Sequence, residues 1–303
     1  HSALKTMSAG NAETHNVAVG GNAGLSVTTG IQNTLIGGLA GDAITTASYN
    51  TAVGTSALSS TTTGINNTAV GRTSLFVNTT GTQNVAIGMD ALQQNSTGSQ
   101  NTAVGRSALI TNTTADNNTA LGYAALHANT TGDRNVAVGS LALDANTTAD
   151  ANTAVGYEAL TTNTTAEGNT AVGFGSLRLN TTGGGNTGIG QNALYSNTTA
   201  ASNTAVGKSA LAANTTGTEN VAIGMQSCDA QTTASYNTAL GFDTLSANVL
   251  GSRNVAIGRA ALQVMNPASA VNMYNVAIGY AAGEGVTTGT QNTLIGGLAG
   301  DAL

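Results

Sequence analysis

A pentapeptide of the general form Asn-[Thr/Val]-Ala-[Val/Ile/Leu]-Gly returns every 17 residues from Asn16 to Asn254, fifteen times without a slip. After four extra residues, in a stretch that includes Pro267, it resumes at Asn275 and again at Asn292. A unit this short cannot enclose a core of its own, so the copies must stack, each burying its neighbours. The repeat therefore points to a solenoid.

With the leading Asn as position 0, the columns can be read one by one. Position 0 is Asn and position 4 is Gly in all 17 copies, and position 3 is always Val, Ile or Leu. Position 2 is Ala in 14 copies, position 8 is Leu in 12, and positions 12 and 13 are nearly always Thr-Thr. Alternation and β-branched residues over positions 1–3 predict a short strand. The glycine that follows predicts a turn through positive φ. Two further extended pieces are expected, one centred on the Leu at position 8 and one on the Thr pair. Helix is disfavoured by a Gly, an Asn and a Thr pair in every unit.

The fold class expected is all-β, a parallel β-solenoid or β-roll of about 17 coils of 17 residues. Its boundaries are a partial coil with an insertion over 1–15, then one repeat domain over 16–303 with an insertion near 266–274. Coils about 4.8 Å apart would make a rod on the order of 80 Å long. Equivalent side chains then form ladders, with Asn84, Asn101, Asn118 and Asn135 bonding amide to amide. Gly88, Gly105, Gly122 and Gly139 mark the accompanying turn.

One aliphatic at position 3 and one Leu at position 8 make a thin core. This suggests further burial against other chains, through the small Ala column at position 2 on the opposite face. A homotrimer is the expected arrangement.

Composition excludes several alternatives. Charged residues are 7% and aromatics 3% of the chain, well below ordinary globular usage. No apolar run approaches the roughly 18–20 residues that span a bilayer, so no membrane insertion is expected. Eight Lys and Arg against fourteen Asp and Glu form no basic stripe, which argues against nucleic acid.

Catalysis finds little support. His1, His15 and His127 are scattered in the coil register. Asp116 and Asp150 lie two coils apart and read as turn charges, and Cys228 stands in the Leu column as a small core residue. The glycine-rich 37–43 and 296–302 lack the Lys-Ser/Thr of phosphate loops and the repeated acids of calcium repeats. No enzyme activity, cofactor or metal is expected.

The pentapeptide, as in Asn84-Val85-Ala86-Ile87-Gly88, resembles the strand motif in the heads of trimeric autotransporter adhesins. The whole unit is also similar to 17-residue repeats of phage tail fibres. The resemblance runs from Asn16 to Leu303 and implies a left-handed parallel β-roll, trimerisation, and an adhesive or fibrous role. The chain departs from that pattern in its longer repeat and in having no stalk coiled coil, anchor or chaperone domain.

A second period relates the two ends. Residues 16–43 match 275–302 at 22 of 28 positions, and all four Gly at position 8 (Gly24, Gly41, Gly283 and Gly300) fall in these matched coils. Neither end reads as a polar cap. The expectation is a window of a longer fibre, or a unit that stacks end to end into a filament.

Two outward features bear on partners. Position 5 varies between aromatic, basic and small residues, and its Tyr123, Tyr157 and Phe174 make a candidate ridge for surface glycans. Of eleven Asn-x-Ser/Thr sequons, nine occupy position 11. Asn78, Asn112, Asn129, Asn146 and Asn163 stand for that column, either as glycan attachment points or as a turn ladder. The function expected is a structural, adhesive segment of a fibre, extracellular, on a cell surface or on a phage tail. The alternatives are a glycan- or ice-binding solenoid module, or a glycan-coated filament subunit. Since adjacent Thr side chains diverge, only one Thr per coil could face ice.

Overall fold

The computed structural model describes residues 2–7 and 13–302. His1 lies outside them, so the reading of it has no structural counterpart. The chain divides into two compact units, His1–Ala151 and Asn152–Leu303. Each is an all-β parallel solenoid with coils 17 residues apart, and no helix occurs among the described residues.

In the first unit, eight three-residue strands run from Val17–Val19 to Val136–Val138. Within the unit, successive strands pair in parallel one coil apart, as Thr102 does with Thr119 and Val104 with Leu121. The bonds between neighbouring coils are short: Thr102 N donates to Asn118 O at 2.8 Å, and Gly122 N to Val104 O at 2.8 Å. The second unit repeats this from Thr153–Val155 to Thr293–Ile295. It adds one two-stranded ladder, Gly251–Ser252 with Val271–Asn272. That ladder closes the four-residue insertion, which bulges at a coil corner while Met265 and Met273 seal the interior beneath it. The register then resumes, with Val255 paired to Val276.

Outside positions 1–3 the coil differs from expectation. The Leu column at position 8 is not extended. Positions 4 to 11 form consecutive turns, with Ala108 N bonded to Gly105 O and Asn112 N to Leu109 O. The twelve leucines of that column adopt φ between +49° and +55°. This left-handed backbone ordinarily costs a non-glycine residue about 1–2 kcal/mol. Full burial of each leucine holds it there. The Thr-Thr pair forms a bend, not a third strand.

The column-4 glycines sit at φ between +126° and +142°, a region closed to other residues. A Cβ on Gly88 would also lie 2.6 Å from the carbonyl oxygen of Gly105 in the next coil. Geometry within the coil and spacing between coils both require glycine.

The interior is the reverse of the sequence reading. Ala at position 2 points inward and is fully buried, as in Ala103, Ala120 and Ala137. The Val, Ile or Leu at position 3 faces outward, with Leu121 47% and Ile87 40% exposed. The reason is the width of the coil. The position-2 alanine faces the walls carrying Ala at position 7 and Leu at position 8, and nothing larger fits between them.

The exceptions show this constraint. Position 2 is Leu only at Leu35 and Leu294, and both coils have Gly at position 8, Gly41 and Gly300. Leu35 fills the vacated volume: a Cβ on Gly41 would lie 2.8 Å from a Leu35 methyl, and one on Gly24 also 2.8 Å. Gly188 is a third case, making room for Ser176, whose Oγ donates to Gly188 O at 2.8 Å.

Truncating the exchanged leucine should therefore open a true cavity. Leu35→Ala is expected to cost about 2–5 kcal/mol, read as a fall in thermal midpoint and urea resistance. Adding Gly41→Leu, which restores the majority pairing of Ala with Leu, should recover part of the loss. Equal stability of Leu35→Ala and the parent chain would contradict this packing.

Candidate functional site

Two side-chain amide ladders run inside each unit. In the position-0 column, Asn118 N donates to Asn101 Oδ1 at 2.9 Å, and Asn118 Nδ2 donates to Gly132 O at 2.9 Å. Asn135 N then donates to Asn118 Oδ1 at 2.9 Å. Asn84 and Asn101 repeat the pattern. All four are fully buried. An amide is suited to this because it carries a donor and an acceptor at opposite ends, so each copy satisfies the next.

The second ladder is the sequon column. Asn112 Nδ2 donates to Asn95 Oδ1 at 2.7 Å and to Ala115 O at 3.1 Å, and Asn129 Nδ2 to Asn112 Oδ1 at 3.1 Å. Asn78, Asn112, Asn129, Asn146 and Asn163 are fully buried. In the folded coil none is open to a glycan, which corrects the attachment reading in favour of the ladder. The two exposed sequon asparagines are Asn66 and Asn117, at position 16. Where Gln231 replaces Asn, its Nε2 bonds Ala234 O, and Asn214 Oδ1 is left without a partner.

The Thr pair divides its labour. The first Thr donates its hydroxyl to the equivalent carbonyl one coil on, as Thr113 does to Thr130 at 3.0 Å. The second, such as Thr131, is exposed. Asp116 and Asp133 also serve the stack. Each accepts the backbone N–H one coil back, from Ser99 at 2.6 Å and Asp116 at 2.8 Å. Asp150 accepts from Asp133 N at 2.8 Å and pairs with Arg134 at 2.9 Å.

Column 5 stands outward as expected, with Tyr123 52%, Tyr157 47% and Phe174 50% exposed. The coil repeat stacks these side chains on each other. Tyr157 and Phe174 lie 5.7 Å apart with ring planes 12° from parallel. In the first unit Arg106 lies 5.9 Å from the Tyr123 centroid. Arg259 sits between Phe242 and Tyr280 at 5.7 and 5.6 Å. Stacked faces cover one another and leave mostly ring edges to solvent. The column is a ridge rather than a row of open platforms. Glu158, hydrogen-bonded beside Tyr157, holds that phenol above its ordinary range.

A further outward surface is the strand face. Positions 1 and 3 carry only Thr or Val and Val, Ile or Leu in every coil, with no charge. Sequence reasoning placed this face inside. The exchange of Leu35 with Gly41 and of Leu294 with Gly300 was the available signal, since trading volume requires positions 2 and 8 to share the interior.

His15 is exposed beside Glu13 at 3.3 Å. Cys228 is buried in the Leu column, and burial pushes its thiol up to about 12. Among the described residues no group of three His, Cys, Asp or Glu is placed to hold a metal ion. No protein-family model matches the sequence, and a search of the curated proteins finds no match.

Breaking a ladder rung should be costly. Asn118→Ala leaves the buried Asn135 N–H without its partner, at about 1–3 kcal/mol, and takes one of two donors from the Gly132 carbonyl, which keeps Asn129 Nδ2 at 3.0 Å. Thr131→Ala, on the exposed column, should change stability by less than about 0.5 kcal/mol. Chemical denaturation of both variants checks the contrast. The raised pKa keeps Cys228 a thiol at mildly alkaline pH, so iodoacetamide should label it only after unfolding. Rapid labelling of the native chain would contradict its place in the core.

Proposed function

We propose that the chain is a structural and adhesive segment of an extracellular fibre, on a cell surface or a phage tail, working as a rigid scaffold for display. The observation carrying this reading is how the polar groups are used. The buried amides, the first Thr of each pair and the column-15 acids bond to neighbouring coils, which makes a stiff stack with varied side chains on its outer columns.

The strand face supports self-association. Its apolar residues recur once per coil over both units, and a large exposed apolar surface of this kind marks an interaction site. A partner matching such a face coil for coil needs the same spacing, and a second copy of this chain has it. The absence of charge at positions 1 and 3 spares two such faces the cost of desolvating charged groups when they come together. A homotrimer packed through these faces, or copies joined end to end, is the assembly this reading favours. The resemblance to adhesin heads points the same way.

Light scattering and electron microscopy of the purified chain test it. Trimers or filaments are expected at micromolar concentration. Replacing Val104, Leu121 and Val138 together by Asp should yield monomers with an unchanged circular dichroism spectrum. A parent chain that is monomeric at every accessible concentration would overturn the assembly.

A further inference from the structure

Column 9 reads Arg178, Tyr195, Ala212 and Asp229 in four successive coils of the second unit. Two large side chains are followed by a methyl group, and the missing bulk opens a notch of about 390 Å³. Tyr195 forms one wall, Ala212 and Ala213 line the middle, and Asp229 and Gln226 stand on the far side, with Ser209 beside them. Two coil steps, about 10 Å, separate the Tyr195 coil from the Asp229 coil.

The tyrosine is held in place. The Arg178 guanidinium lies 5.7 Å from its ring centroid and donates from Nη1 to the phenol oxygen at 2.7 Å. Arg178 is in turn paired with Glu158 at 2.8 Å. Gly175 lies beside the ring in the preceding coil, where an added Cβ would be in ordinary contact, 3.5 Å from two of its carbons. Glu158 and Arg178 together fix a half-buried ring whose other face is left to the notch. Such preorganisation lowers the entropy cost of binding.

From this geometry we infer that the notch is a binding site for one neutral pyranose ring of a glycan. A pyranose has an apolar C–H face and a rim of hydroxyls. The notch has the complementary pattern, one aromatic face and two methyl groups bordered by a carboxylate, an amide and a hydroxyl. Small-ligand sites in general combine an apolar lining with a few convergent polar groups.

Charge discriminates against other ligands. A cation would have to share the Tyr195 ring with Arg178, whose positive charge already occupies the opposite face. An anion would meet Asp229, while the Arg178 head is engaged by Glu158 and Tyr195. Burial, with repulsion from Asp243 in the next coil, raises the Asp229 carboxyl above its ordinary range. A sugar hydroxyl donating to that carboxylate relieves part of the cost. The site is distinct from the column-5 ridge and needs no assembly, so it goes beyond the scaffold reading and can fail without it.

The test is titration of the folded chain with methyl glycosides of glucose, galactose, mannose and N-acetylglucosamine, followed by NMR. Glucuronate and tetramethylammonium serve as charged controls. At least one neutral pyranoside should bind saturably, with Kd of about 10 mM or tighter. Tyr195→Ser should weaken it about tenfold or more. Ala212→Leu, which fills the notch from its solvent side, should abolish binding while the thermal midpoint stays unchanged. Tyr157→Ser should leave affinity as it was. The inference is overturned if no neutral pyranoside saturates, if only the charged probes bind, or if binding survives Ala212→Leu. Loss of sugar binding with normal assembly would remove this site alone.

Discussion

Everything in this protein depends on equivalent groups meeting their own copies one coil away. A buried polar side chain in such a stack must satisfy a neighbour identical to itself. Carboxylates and ammonium groups cannot, because a column of like charges repels and each lacks either donor or acceptor. A primary amide can, and the two buried polar columns are mostly asparagine for that reason. Column-4 glycine follows from the same spacing, since the next coil's carbonyl occupies the place of its Cβ. An interior lined by amides, alanines and the position-8 leucines thereby holds its shape without the large apolar core of a globular domain.

Coil width is the second constraint. The walls approach so closely that the strand offers only alanine to the interior, and each departure is compensated nearby. Leu35 stands with Gly41, Leu294 with Gly300, and Gly188 with Ser176. A narrow core leaves the larger aliphatic residues of the strand outside. The apolar outer face thus originates in packing, and its availability to another copy is a consequence of how the chain folds.

Charged and aromatic side chains stand in columns that face outward, and stacking governs them there too. Arginine lies over Tyr123, Phe242 and Tyr280, and Tyr157 covers Phe174, because adjacent coils bring these side chains within contact. A recess arises where a large residue is followed by a small one, as Tyr195 is by Ala212. Chemistry on this scaffold is set by differences between neighbouring coils, whereas the framework is set by their sameness.

The period, the parallel stack, the asparagine ladder at position 0 and the glycine turn were all legible in the sequence, because identical columns one coil apart can only be satisfied by in-register stacking. Which strand face lies inside was not, since a three-residue alternation shows that Ala120 opposes Thr119 and Leu121 but carries no information about the distance to the facing wall. The same distance, set by the turns at positions 4 to 11, decided that Asn112 and its equivalents are buried rungs and not exposed sequons. It also put Tyr195, Ala212 and Asp229 around one notch, a grouping of residues 17 apart whose consequence depends on side-chain size across neighbouring coils. Repetition in the chain dictated the lattice, and the width of the folded coil decided what each column faces.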